Sequence, residues 1–398
     1  MTDPVAVAEE LAPKLAARAD AHDATGDFPT ADVADLRGAG LLGLMVPERL
    51  GGLGAGFATY TRVAQALARG AGATALVFNM HASVTGALAS VPEDLARQLG
   101  AGDAFFAQRD RLLAAAAQGA LYGVGITERG AGSRLHALRT TYAREGEGYR
   151  LRGRKSTCSG AGHLDGYLVA AKAEHAVDDP DGPVSHFLVP AEAIGEVEDT
   201  WDVQGMRATA SNGFALDCHV SAEALLGGIE GVAGLLAYGL PQWLVASYAA
   251  VYAGVARAAV EAGAAHVAER TVAGQEGGLG QVGWVRQRLG RADAQAEAAR
   301  LTLEEAGRLV DHAPGEPATN AMIYRAKLLS GDAARDAADA VAEACGLAAL
   351  RRGHPLERLV RDARSGPVMP PSSDLAADVL ATARLGLDPV HGTDVRPW

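Results

Sequence analysis

"GVGITERGAGSR", residues 123–134, sets glycines on both sides of an acid–base pair and places a hydroxyl at each flank. It is not a dinucleotide fingerprint. Counting G-x-G-x-x-G from Gly123 and Gly125 puts the last glycine on Glu128. A phosphate loop closing on Lys and Ser/Thr is also excluded, because no lysine stands between Gly123 and Ser133. Two neighbouring small-residue turns still present backbone N–H groups able to cradle an anion.

The texture changes at this loop. Residues 1–117 read as helices: "VAEELAPKLAARADAH" has apolar side chains at helical spacing, and "TADVADLRGAGLLGL" opens on Thr30, an N-cap candidate, and stops at Gly40. Residues 118–228 carry short β-branched or aromatic runs such as "DGYLVAAKAE" and "NGFALDCHV", separated by Gly, Asn and Asp-Pro-Asp-Gly turns. Strands of this length and spacing predict a small barrel or sandwich. From residue 229 to 398 long Ala-rich helical runs return. The fold class is therefore α+β: an N-terminal helical domain, a middle β-barrel or sandwich, and a C-terminal helical bundle.

The 398 residues are 48% hydrophobic and 21% charged, the composition of a folded globular chain too long for one core. A net charge of −12 argues against nonspecific nucleic-acid binding, so a phosphate-bearing ligand must meet a local basic patch. The cysteines, Cys158, Cys218 and Cys345, lack metal or redox spacing and predict buried small hydrophobes, a reducing cytoplasm and no bound metal. The start lacks a basic-then-apolar run, so no secretory signal is read. Residues 232–256 have no charged side chain and are long enough to span a membrane, but Pro241, Gln242 and many Ala and Gly residues predict a buried bundle helix instead.

The α, β, α order, with this loop at the entrance to the β domain, resembles the acyl-CoA dehydrogenase family. "GITERGAGSR" is similar to the family's Thr-Glu-Pro-x-Ala-Gly-Ser-Asp signature, "GRKSTCSGAGHLDGYLVAA" to its Gly-x-Lys-x-Trp/Phe-Ile-Thr-x-Gly strand, and "GMRATASNGFALDCHVSAEALLG" to its Gly-x-Arg-x-Thr-x-Ser strand pair. "GAGLLGLMVPERLGGLGAG" and "HPLERLVRDAR" extend the match over the whole chain. The resemblance implies a C-terminal four-helix bundle, FAD, an acyl-CoA or acyl-carrier-protein substrate, a flavoprotein or oxygen as electron acceptor, and a dimer or tetramer. It places the flavin against Ile126, Thr127, Gly132 and Ser133, with Thr157, Cys158 and Ser159 bordering the ring. Arg270 would reach the pyrophosphate in a neighbouring subunit. Two other contacts of that kind fall on Ala273 and Glu343, where the family pattern is lost. Arg129 and Arg134 replace a Pro and an acid, making the loop mouth more basic. Ser133, Arg134, Arg351 and Arg352 are thus candidate substrate contacts, with a solvated surface the competing reading for the arginines.

The family's catalytic Glu is missing. By resemblance it follows Arg-Asp-Ala, and counting from Arg361 puts Pro370 there; a second family position for the Glu falls near Leu244. A positioned base is worth about 10² to 10⁴ in rate. Asp374 and His81 are weak substitutes: Asp374 follows Ser372 and Ser373 at a helix start, where it favours the dipole, and a lone His in "NMHASV" reads first as structural. "PLERLVRDAR" pairs Glu357 with Arg361 and Arg358 with Asp362 at i,i+4. The reading taken from the sequence is FAD-dependent α,β-dehydrogenation of an acyl thioester, because the thioester-side loop is kept and no residue suited to oxygen activation is found. The alternatives are a flavin monooxygenase of the same fold and a base-less subunit of a heteromer.

Overall fold

The computed structural model describes residues 3–98, 100–233, 241–271 and 278–388. Helix α1 (Pro4–Thr25) starts where Asp3 accepts from the Val5 amide at 3.0 Å and stops at Gly26, whose φ of +78° suits a left-handed cap. In α2 (Thr30–Gly38) Thr30 is the first helical residue rather than the predicted cap, and Pro29 precedes it with no side-chain capping bond. Helices α3 (Phe57–Gly70), α4 (Gly72–Ser90), α5 (Glu93–Gln98) and α6 (Asp103–Ala117) complete the first layer.

The middle of the chain is one curled sheet of seven strands: β1 (Tyr122–Gly125), β2 (Thr141–Glu145), β3 (Gly148–Lys155), β4 (Gly166–Ala173), β5 (Val184–Pro190), β6 (Val197–Glu198) and β7 (Gly213–Ser221). All eight β4 residues are buried, and this strand organises the sheet. One of its edges carries β1 and then β2, both parallel, while β5 runs antiparallel along the other. Strands β3, β7 and β6 extend the sheet beyond β2.

The last layer comprises α7 (Ala246–Glu269), α8 (Gly283–His312), α9 (Pro317–Cys345), α10 (Pro355–Ala363) and α11 (Ser373–Leu385). A 3-10 turn, Pro241–Trp243, leads into α7. Among the described residues Pro241–Glu269 is the one segment apolar and long enough to cross a membrane, and 83% of its most apolar window is buried by the surrounding protein. Residues 234–240 of the uncharged stretch lie outside the described residues. Small side chains permit this central position: a Cβ on Gly263 would lie 1.9 Å from Val341 Cγ1 of α9. All three cysteines are free and buried.

Candidate functional site

The acid and base of the opening loop face different ways. Glu128 turns inward, where its Oε1 accepts from Lys155 Nζ at 2.6 Å and from the Thr140 amide at 3.1 Å, and its Oε2 accepts from the Arg139 amide at 2.7 Å. Lys155 Nζ also donates to the Ile126 and Ala170 carbonyls. Burial opposes both charges. It lowers the Lys155 ammonium to about 8 despite the pull of Glu128, whereas for Glu128 the ammonium and the amide donors outweigh burial and hold its carboxyl below the ordinary value. The pair is a pin. It ties the exit of β1 to β3 and β4, and so fixes the direction of Ile126 and Thr127.

Beyond the pin the chain makes a tight turn. The amide and carbonyl of Gly132 pair with those of Glu128 at 2.9 Å each, and Gly130 and Gly132 have φ of +87° and +62°. The turn seats Ser133 toward a cavity of about 480 Å³ where the three layers meet. The β layer supplies Ile126, Thr127, Ser133, Thr157 and Ser159; α4 supplies Leu76 and Met80; the last layer supplies Leu244, Tyr248 and Pro370. The hydroxyls of Thr127, Ser133 and Thr157 make no hydrogen bond among the described residues.

Another wall is the segment Trp201–Ser211, held in a strained form. Met206 and Ala210 have φ of +55° and +43°, a region that costs a non-glycine residue about 1–3 kcal/mol. Three contacts hold the segment there. The Met206 amide donates to Asp362 Oδ1 at 2.6 Å, a hydroxyl chain runs from Ser159 through Ser211 and Thr209 to the Met206 carbonyl, and Gly205 lies against the Arg361 carbonyl, which a Cβ would approach to 2.1 Å. Asp362 is itself buried beside Arg358.

A second, larger chamber of about 1060 Å³ meets this cavity at Val124, Ile126 and Leu244. Its walls are mainly aliphatic and aromatic, among them Met45, Phe57, Leu88, Phe105 and Leu168. The acids lining it are Glu48 and Asp311, and no described lysine or arginine lines it. Asp311 is already engaged, capping α3 through the Phe57 and Ala58 amides at 2.6 and 3.0 Å.

Several sequence expectations change here. Cys158 alternates away from the cavity into the core, its thiol pushed up to about 12 by burial, so Thr157 and Ser159 alone border the space. Gly132 shapes the turn and has no free amide to offer a phosphate. Arg134 folds back onto the Ala131 and Gly130 carbonyls. His81 is a tie between layers: Nε2 lies 2.7 Å from the Leu42 carbonyl, Nδ1 accepts from the Tyr122 amide at 3.1 Å, and burial lowers its pKa to about 4. With both nitrogens engaged it is no base. Asp374 is exposed in the first turn of α11, which Ser372 caps through the Leu375 amide. Arg270 is exposed at the end of α7, and Arg351 and Arg352 are exposed beyond the 3-10 turn Gly346–Leu350; none lines either cavity. Glu343 is ion-paired with Arg288, and Ala273 lies outside the described residues.

Sequence reasoning missed Trp201, Met206 and Tyr248 as cavity walls. The run Gly205-Met206 followed by Thr209 and Ser211 carried a signal for Met206, while Trp201 and Tyr248 have none beyond their places in the loop and the apolar helix. Most consequential are Pro370 and Leu244, on or near which the resemblance places the base. Pro370 and Leu244 both face the smaller cavity, and no carboxylate does among the described residues.

Comparison with known proteins follows the same three-part order. The acyl-CoA dehydrogenase N-terminal, middle and C-terminal domain models match residues 5–99, 123–218 and 246–383. YdbM of Bacillus subtilis strain 168, assigned as an acyl-CoA dehydrogenase, is 30% identical over 364 residues, 90% of each chain. The amino sugar nitrososynthase DnmZ of Streptomyces peucetius is 31% identical over an alignment that covers 95% of this chain and 92% of its own. KijD3, solved in complex with FMN and a dTDP-linked amino keto sugar, superposes with a TM-score of 0.82 at 25% identity, covering 98% of this chain and 95% of its own.

Proposed function

This chain belongs to the acyl-CoA dehydrogenase family of flavin-dependent oxidoreductases, and from that premise we propose that it is a monooxygenase: it binds a flavin in the smaller cavity and oxygenates an apolar substrate in the larger one. The observation that carries this reading is the carboxylate-free wall, with Pro370 and Leu244 on or near the base positions. Desaturation of a thioester starts with removal of a proton, and no carboxylate lines this cavity among the described residues to accept it. Oxygenation needs no such base.

The residues present fit a flavin, FAD by the motif resemblance. Thr127, Ser133 and Thr157 offer hydroxyls without a partner among the described residues, and Trp201, Met206 and Tyr248 supply flat or soft apolar surface to the same cavity. When bound and reduced, the flavin supplies two electrons to dioxygen. The chain excludes water: burial raises the Tyr248 phenol well above its usual range and keeps it protonated against Met80, while Leu244 separates the ring site from the chamber. Arg361, on the rim, is neutralised by Asp23 and Glu357. The chamber's lack of lining cations supports an uncharged substrate over a CoA or carrier thioester. DnmZ, named for an oxidation of amino sugars, supports the oxygenase reading but not the choice of an uncharged substrate. Leu347 and Leu350, 73% and 67% exposed, support assembly into a dimer or tetramer.

The test is isotopic. Flavin-loaded protein, reduced by a separate reductase and given uncharged polycyclic aromatics under ¹⁸O₂, is expected to give a product with one labelled oxygen, the second leaving as water. Unlabelled product, or desaturation of a thioester in its place, overturns the proposal.

A further inference from the structure

The larger chamber is apolar except at a few points, and three of them are orphans. His186 Nε2, Gln242 Oε1 and Trp243 Nε1 are buried and have no hydrogen-bond partner among the described residues, and all three residues line the chamber. His186 is 6% exposed, Gln242 and Trp243 2% each. Native interiors satisfy the large majority of such groups, because an unpaired buried donor or acceptor forfeits its hydration with no return. A site that keeps its hydrogen bonds for a ligand has this appearance when empty. The two side chains able both to donate and to accept come from different elements: His186 lies on β5, where its neighbour in register is Ala170 of β4, and Gln242 sits on the 3-10 turn before α7.

The charges around the chamber narrow the ligand. No lysine or arginine lines it among the described residues, so a carboxylate or phosphate would lie there uncompensated. Lys155 lies near His186, but its ammonium is already spent on Glu128 and two carbonyls. Burial and that neighbouring charge both lower the His186 pKa, to about 4, so the imidazole is neutral near pH 7.

We infer that the chamber takes an uncharged, largely apolar compound bearing one hydroxyl or carbonyl group, which His186 and Gln242 select by hydrogen bonding. The inference rests on the reading of the chamber as the substrate site, and it is tested by binding alone, so it survives or fails independently of any oxygenation assay.

The probes are 1-hydroxypyrene, pyrene and pyrene-1-carboxylate, measured by equilibrium dialysis against the flavin-loaded protein. The wild type is expected to favour 1-hydroxypyrene over pyrene by about tenfold, the worth of one net hydrogen bond to a buried group, and to reject the carboxylate. His186→Leu and Gln242→Leu are expected to bring the hydroxypyrene-to-pyrene ratio towards one, with pyrene binding kept or tightened. Both are also expected to raise Tm, because each removes an unsatisfied buried group. A merely structural role would lower Tm instead. Equal wild-type affinities, a ratio unchanged in both variants, a lowered Tm in both, or no binding of any probe would each overturn the inference.

Discussion

Replacing Glu128 with Gln probes what holds the loop after β1 in place. The carboxylate is 5% exposed and Lys155 1%, with 2.6 Å between their charged atoms, so the substitution strands an ammonium in the interior. Removing one partner of such a pair costs about 3–5 kcal/mol. Gln retains one carbonyl oxygen, enough for the Arg139 or the Thr140 amide but not for both at full strength, which adds up to about 1 kcal/mol. The total is a large share of the roughly 5–15 kcal/mol that holds a typical domain together. Lys155→Met should be comparable in cost. The double variant should lose about 2–3 kcal/mol less than the sum, because the second change removes the group that the first leaves unpaired. Urea unfolding of the wild type, both single variants and the double variant measures all three quantities. A Glu128→Gln protein within about 1 kcal/mol of the wild type, or strictly additive losses, would refute the assignment of the pair as the pin.

Acid should destabilise the fold through His81 and His186. Both have folded pKa values of about 4 against an ordinary 6.5, so the unfolded chain binds more protons between those values and their contribution, complete above pH 6.5, is lost as pH falls toward 4. Each contributes on the order of 3 kcal/mol over that window, and Tm measured against pH should flatten by one proton in His186→Leu. Gly205→Ala should push the Trp201–Ser211 segment off the Arg361 carbonyl, lowering stability by about 1–3 kcal/mol and weakening flavin binding, as read by Tm and by flavin titration. Asp374→Ala should cost no more than about 1 kcal/mol and leave turnover unchanged, since the residue is an exposed first-turn acid; a 100-fold loss of rate would return it to catalysis.

The three-layer order was legible because it is written in local periodicity: helical spacing before Ala117, short runs cut by Gly and Asp from Tyr122 to Ser221, and helices again from Ala246. Counting along motifs also found Pro370 and Leu244, which the fold brings to one cavity from positions 126 residues apart. Less legible was the direction of each side chain. Thr157, Cys158 and Ser159 alternate along one strand-like stretch, so neighbours in a motif part company, and the amide of Gly132 is taken up by Glu128. The buried Glu128–Lys155 pair joins two motifs that meet through the antiparallel bridge of Thr127 with Thr157, a pairing that local periodicity does not show. His186 and Gln242 left no trace at all, because what distinguishes them is the absence of a partner, which is a property of the packed chain.

The claim at the centre of this account is that the flavin site lacks a base for thioester desaturation. It is met most directly by anaerobic titration of the flavin-loaded protein with saturated acyl-CoA and acyl-carrier thioesters of graded chain length, following the visible flavin absorption. The account predicts that none bleaches the flavin, and that protein reduced chemically is reoxidised by oxygen with transfer of one oxygen atom to an apolar substrate. Bleaching by any saturated thioester would contradict it, and would mean that a group outside the described cavity wall takes the proton.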